Sequence, residues 1–157
     1  MIEQEEKKIG EYEIRQIKKL LDLELDDLVT QSKKEGFRFV ERLINDYENG
    51  TNTFSNFGEA LYGVFSGDGA LVAIGGLNND PFTSKRGIGR LRRFYVLKEY
   101  RRNGIGSLLV KRMMEEARNY YRILVLRTDT QQGDDFYASI GFTKGELYPH
   151  SSHYIVL

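Results

Sequence analysis

Apolar positions along this chain recur with two different periods, and the switches between them outline its elements. Tyr12 to Ile17 reads as a short first strand. Asp22 is placed to cap a helix running to about Lys34. After Gly36, residues Phe37, Val40, Leu43, Ile44 and Tyr47 repeat at helical spacing until Asn49-Gly50 stops them. Ala60 to Phe65 and Ala70 to Leu77 are β-rich runs around Ser66-Gly67-Asp68-Gly69, which predicts an antiparallel hairpin that Asn78-Asn79-Asp80-Pro81 ends. Arg90 to Val96 is a further strand. Ile105, Leu108, Leu109, Met113 and Ala117 form the apolar stripe of a helix, with Ser107, Lys111, Glu115 and Arg118 opposite. The apolar run Ile123 to Leu126 suits a strand buried on both faces, so strand, helix and strand predict a right-handed parallel crossover. Asp134 and Asp135 belong in the first turn of a last helix closed by Gly141. Phe142 onward and His153 to Leu157 then form a terminal hairpin around Pro149. The expected fold class is α+β: one domain over residues 1–157, with a mixed, mostly antiparallel sheet, a single parallel βαβ unit and helices on both faces.

Composition narrows the function classes. The 157 residues carry 23 basic and 23 acidic side chains, so net charge gives no push toward nucleic acid or an anionic membrane. Charge is uneven locally: from Lys85 to Arg112 there are ten basic residues and one acid, Glu99. That run brackets a glycine loop and suggests a site for a polyanion. The absence of cysteine excludes disulfides, thiolate metal sites and a cysteine nucleophile. No signal-peptide core and no apolar run near the ~20 residues of a membrane span is present, which predicts a cytoplasmic protein.

The loop is Arg101-Arg102-Asn103-Gly104-Ile105-Gly106-Ser107, set where a strand ends and a helix begins. Glycines there let backbone N–H groups approach an anion with the helix dipole behind them. A P-loop would need Lys followed by Ser or Thr after its last glycine, and a dinucleotide fingerprint would need glycine at position 109, which is Leu. Gly87-Ile88-Gly89 repeats the spacing without a helix behind it and reads as the turn into a strand.

The remaining pattern, R-x-x-G-x-G, resembles the acetyl-coenzyme A signature of the GNAT superfamily of N-acetyltransferases. Asp134 to Phe142, with its Tyr137 and its Gly-Phe ending, is similar to a second element of that family. Together the matches cover roughly Leu91 to Phe142. The resemblance implies a GNAT-like fold and acetyl-CoA as cosubstrate, without a metal. It implies main-chain pairing of Phe94, Tyr95 and Val96 with the pantetheine arm, and the diphosphate surrounded by Arg101, Arg102, Asn103, Gly104, Ile105, Gly106 and Ser107. A backbone N–H near Val96 would face the thioester oxygen. Thr130 stands where many relatives place a coenzyme-contacting Asn, and Tyr137 would donate to the departing sulfur.

Relatives often carry a Glu on the strand before the loop or the one after the helix. Here those read Leu-Arg-Arg-Phe-Tyr-Val and Ile-Leu-Val-Leu, so the sequence identifies no general base; Glu59, Asp80, Asp129 and His153 are candidates, acting directly or through water, each equally read as a turn, cap or surface residue. Phe54 and Phe57, in the polar connection from Thr51 to Gly58, are placed to fold over a pocket. His150 and His153 lack the acidic or cysteine partners of a metal pair. The expected activity is acetyl transfer to a small-molecule or peptide amine by direct attack. The rival is a catalytically idle coenzyme A binding module, as sensor or interaction domain. Acceptor and oligomeric state, a homodimer included, stay open at this point, and no nucleic acid or membrane partner is expected.

Overall fold

The computed structural model describes residues 11–157 together with the backbone of Lys8–Ile9. Its frame is one eight-stranded sheet: β1 (Lys8–Ile9), β2 (Tyr12–Gln16), β3 (Ala60–Phe65), β4 (Leu71–Asn79), β5 (Ile88–Val96), β6 (Ile123–Leu126), β7 (Thr143–Lys144) and β8 (His153–Val156). Strand order is β1-β2-β3-β4-β5-β6-β8-β7. Every neighbouring pair is antiparallel except β5 with β6, which are parallel. The helices are α1 (Asp26–Lys34), α2 (Phe39–Glu48), α3 (Ile105–Ala117) and α4 (Gln131–Ile140). This is the mixed α+β architecture expected from the sequence, with α3 as the parallel crossover.

Both faces of the central strands are covered, which is why β3 is buried throughout and β4 at all but its last residue. On one face α3 lays Ile105, Leu109, Val110, Met113, Met114 and Ala117 against the sheet. Gly75 leaves the space that the end of Met113 fills: a Cβ there would stand 2.7 Å from the Met113 methyl. On the other face α2 buries Val40 and Leu43, and Phe39 packs on Tyr95 of β5.

Two expectations are corrected here. Asp22 caps no long helix: it closes a one-turn 3-10 segment, Leu20–Asp22, and α1 starts at Asp26 without a side-chain cap. Phe54 and Phe57 do not cover a pocket. Phe54 is buried, with its ring packed where Gly76 has no side chain, and Phe57 is 85% exposed, edge-on to Tyr120. The hairpin around Pro149 is present, and Gly87 and Gly89 do introduce β5, Gly89 lying under the Tyr121 ring.

β5 carries two irregularities. Arg92 is opposite Gly76 and Tyr95 opposite Ile74, so Arg93 and Phe94 stand where β4 offers only Gly75, and Arg93 takes φ 58°. This is a β-bulge. The pairing of β5 with β6 also stops early, joining only Ile88–Arg90 to Ile123–Val125. Beyond Arg90 the two strands diverge.

Arg90 fastens the point of divergence. It is buried, donates from Nε to Asp80 Oδ1 at 2.8 Å, and reaches the carbonyls of His150 and Pro149, both at 2.8 Å. Asp80 Oδ1 also accepts from the Phe82 N–H at 3.3 Å, Oδ2 is buried without a hydrogen-bond partner among the described residues, and the one cation paired with this carboxylate there is Arg90. Removing one member of a buried pair strands the other charge. Arg90→Ala is expected to lower the unfolding free energy by about 3–5 kcal/mol in urea titrations, whereas Arg38→Ala, which breaks an exposed pair with Glu41, should leave the unfolding midpoint nearly unchanged.

Candidate active site

The divergence of β5 and β6 opens a cleft of about 870 Å³. One wall is β5 from Arg90 to Val96; the other is Leu126 to Thr130 with the start of α4. Phe37, Phe39 and Arg42 line one end, and Gly104, Gly106 and Ser107 the other.

At the α3 end the loop turns through two left-handed residues, Arg102 at φ 68° and Gly104 at φ 79°. Gly104 is the N-cap and supplies no side-chain hydrogen bond, while the first intrahelical bond runs from Leu108 N–H to its carbonyl. The N–H groups of residues 105–107 therefore have no acceptor within the helix and sit at its positive end. Arg102, Gly104, Gly106 and Ser107 line the cleft. Asn103 is exposed and does not, and the Ile105 side chain is fully buried, so only its N–H could serve an anion.

Arg101 has another task. Its guanidinium forms a two-pronged pair with Glu35 (3.0 and 2.6 Å), and its Nε donates to the Val96 carbonyl at 2.9 Å. Arg101 also lines the cleft, with its guanidinium engaged in a clasp between α1 and the loop. The Tyr95 hydroxyl joins by donating to Glu35. The basic run from Lys85 to Arg112 is thus divided among several partners and does not converge on one anion: Arg90 serves Asp80, Arg101 serves Glu35, and Arg112 approaches Glu116.

Along β5, Leu97 N–H donates to the Val72 carbonyl, so the antiparallel alternation turns the peptide groups of Val96 away from β4. With the Val96 carbonyl taken by Arg101 and β6 out of reach, its N–H is left facing the opening. Tyr95, paired with Ile74, spends its main chain inside the sheet; Phe94 lies in the bulge without a partner on β4.

Tyr137 sits on α4 with its ring among Phe94, Phe136, Phe142 and His153. Its hydroxyl makes no hydrogen bond with any described residue and opens on the cleft. Burial pushes the phenol well above its ordinary range, so the proton stays on and the group is a donor. Thr130 is the N-cap of α4: its Oγ1 accepts from Gly133 N–H at 3.0 Å, which leaves the hydroxyl proton for another acceptor.

The candidate proton acceptors separate clearly. Asp80 is locked to Arg90. His153 is buried between Asp134 (2.8 Å) and Ser152 (2.8 Å). Glu59 accepts from the N–H groups of Asn56 and Asn79 and does not line the cleft. Asp129 does line it, paired with Arg127 at 3.2 Å. Sequence reasoning considered His150 only as half of a metal pair, yet its ring faces the cleft beside Phe82, 4.4 Å between centroids. Arg42, Arg92, Arg93, Phe37, Phe39 and Phe82 were also missed as lining residues. The visible signal was the adjacent Arg92-Arg93 pair, which with Arg90 puts three arginines in one nine-residue strand.

The profile of the acetyltransferase (GNAT) family matches residues 18–142. The chain belongs to that family. Among solved structures, a protein from Exiguobacterium sp. 255-15 proposed to be an acetyltransferase is 30% identical, superposing with a TM-score of 0.83 over 92% of this chain and 93% of that one. A GNAT-family acetyltransferase from Staphylococcus aureus Mu50 shares the fold at 20% identity, with a TM-score of 0.71 over 93% of this chain and 99% of that one. So does the PaiA N-acetyltransferase of Thermoplasma acidophilum, solved with coenzyme A, at 20% identity and a TM-score of 0.65 over 93% and 99%.

The Glu35–Arg101 clasp gives a pH prediction. Hydrogen bonding from Arg101, and then from Tyr95, holds the Glu35 carboxyl below its usual range against the opposing effect of burial. A carboxyl whose folded pKa is depressed contributes stability that is complete above its unfolded value, about 4.3, and fades as pH falls through the folded value. Glu35→Gln should therefore lower Tm by about 2–4 °C at pH 6–8, the scale of one solvent-screened ion pair. In thermal scans at decreasing pH the gap to wild type should close below about pH 4.

Proposed function

We propose that this GNAT-family protein transfers the acetyl group of acetyl-CoA to an amine by direct attack. The observation that carries the reading is the wedge between β5 and β6, where the Val96 N–H and the Tyr137 hydroxyl both face the opening without partners. The features at the α3 end of the cleft support the cosubstrate. The free N–H groups at the start of α3, with Arg102 and Ser107, suit a diphosphate, and the Phe94 and Phe136 rings, stacked at 5.6 Å, wall the way inward beside Gly106. The PaiA relative, solved with coenzyme A, supports the same cosubstrate.

In this reading the cosubstrate supplies an activated acetyl thioester. The Val96 N–H is the donor toward the thioester oxygen, where charge builds in the transition state. Tyr137, kept protonated by burial, donates a hydrogen bond to the sulfur as the carbon–sulfur bond breaks and the carbon–nitrogen bond forms, and the thiolate that leaves takes its proton from water. The proton lost by the attacking amine goes to water or to His150, the cleft imidazole.

Tyr137→Phe keeps the ring in its aromatic setting and removes only the hydroxyl. It should lower kcat roughly tenfold to a thousandfold, with little change in KM for acetyl-CoA, because the interaction lost belongs to the transition state. Thiol release with an active acceptor measures this, and an unchanged kcat would remove Tyr137 from the mechanism. Coenzyme A at ~100 times its Kd should stabilise the protein by about 2.7 kcal/mol in thermal scans. Binding without thiol release from any amine would favour the idle coenzyme A module.

A further inference from the structure

The end of the cleft opposite α3 has an unusual charge. Arg42 and Asp46 lie one turn apart on α2, which packs over the bulge in β5; Arg93 comes from the bulge itself and Arg92 from the position just before it. Against these three guanidinium groups stands one paired carboxylate, Asp46, 3.6 Å from Arg93. Arg92 and Arg42 have no ion-pair partner among the described residues. Arg90 adds nothing free, being held by Asp80. No carboxylate lines this end; Asp129, on the far wall, is tied to Arg127. Phe37, Phe39 and Phe82 supply the apolar surface around the cluster.

Such a cluster is costly in the empty protein. Burial first, and then the charge of Arg90, push Arg92 below the ordinary arginine value; burial first, and then Arg92, do the same to Arg93. Guanidinium groups remain charged regardless, so two partly dehydrated cations are held side by side with incomplete neutralisation. An anion placed between them would relieve both the dehydration and the repulsion, and the planar guanidinium matches carboxylate or phosphate oxygens in pairs. A polycationic acceptor would meet the opposite effect.

We propose that the acceptor is a small amine that also carries an anionic group, a carboxylate or a phosphate, held by Arg42, Arg92 and Arg93 while its amino group points along the cleft toward Val96 and Tyr137. This rests on the acetyltransferase reading for the fate of the amine, but not for the capture of the anion. The bulge is what makes it possible: in a regular strand residues 92 and 93 would face opposite sides of the sheet, and here both reach the cleft.

The test pairs turnover with binding. Phenylalanine, phenylalaninamide, phosphoethanolamine and spermidine are offered as acceptors with acetyl-CoA, and thiol release is followed. At least one anionic amine should exceed the amide and spermidine in kcat/KM by roughly tenfold to a hundredfold. Phenylalanine against phosphoethanolamine tells carboxylate from phosphate. Arg92→Gln should collapse that preference mainly through KM. Arg42→Gln, at an exposed helix position where folding is not at stake, should reduce it in the same direction.

In parallel, phenylalanine, phosphoethanolamine and inorganic phosphate are titrated into protein saturated with coenzyme A, so that the α3 end is already filled. Saturable binding of at least one that weakens in both variants supports the proposal even if no acceptor turns over, an outcome that would count against the acetyltransferase reading alone. Preferred acetylation of the amide or of spermidine would overturn the proposal and leave the acetyltransferase reading standing. So would the absence of saturable binding by all three anionic probes, or binding indifferent to both substitutions.

Discussion

Parallel pairing between β5 and β6 lasts for only three register positions and then fails, and the candidate active site opens where it fails. A strand inside a sheet has its peptide groups committed on both sides. By separating from β6 while keeping β4, β5 exposes the Val96 N–H in a setting that is otherwise core. Because the α3 crossover begins just beyond the end of β5, a helix N-terminus arrives at the same opening with its first N–H groups uncommitted. Arg90, buried at the last paired position and bound to Asp80 and to two carbonyls of the β7–β8 connection, fastens the vertex of the wedge.

Charge follows the same geometry. Six basic residues lie between Arg90 and Arg102, namely Arg90, Arg92, Arg93, Lys98, Arg101 and Arg102, and their surroundings give them different work. All but Lys98 line the cleft, but Arg90 and Arg101 are bound by carboxylates and hold elements in place, whereas Arg92 and Arg102 have no ion-pair partner among the described residues and Arg93 has only the 3.6 Å contact with Asp46. Linear proximity says little about which anion a cation serves; burial and partner decide it.

Much of the fold was legible because it rests on local signals. The β-rich runs of β3 and β4, the stripe of α3 and the glycine after α4 each specify their element within a few residues. The glycine loop and the segment around Tyr137 were legible for the same reason, being short and contiguous. What could not be read depended on long-range packing. The Arg101–Glu35 clasp spans 66 positions of sequence, and no pattern around Arg101 hints at a partner on α1. Phe54 looked like a pocket residue because it lies in a polar connection, but the space left by Gly76 draws it into the core. The arginine end of the cleft depends on a bulge whose central residue, Arg93, adopts a left-handed conformation that Arg does not advertise.

Under the proposed function, the guanidinium groups around the β5 bulge bear on one more question, how an acceptor amine would lose its proton although no unpaired carboxylate among the described residues lines the cleft. A positive charge nearby disfavours the ammonium form, so an amine resting in that field ionises at lower pH than it does in water. Side chains that grip the anionic end of an acceptor would then also prepare its other end, making the nitrogen lone pair available before bond formation begins. Bulk water or an imidazole at the cleft rim suffices for a proton already loosened in this way, and the strand can carry arginine where a general base would otherwise be required.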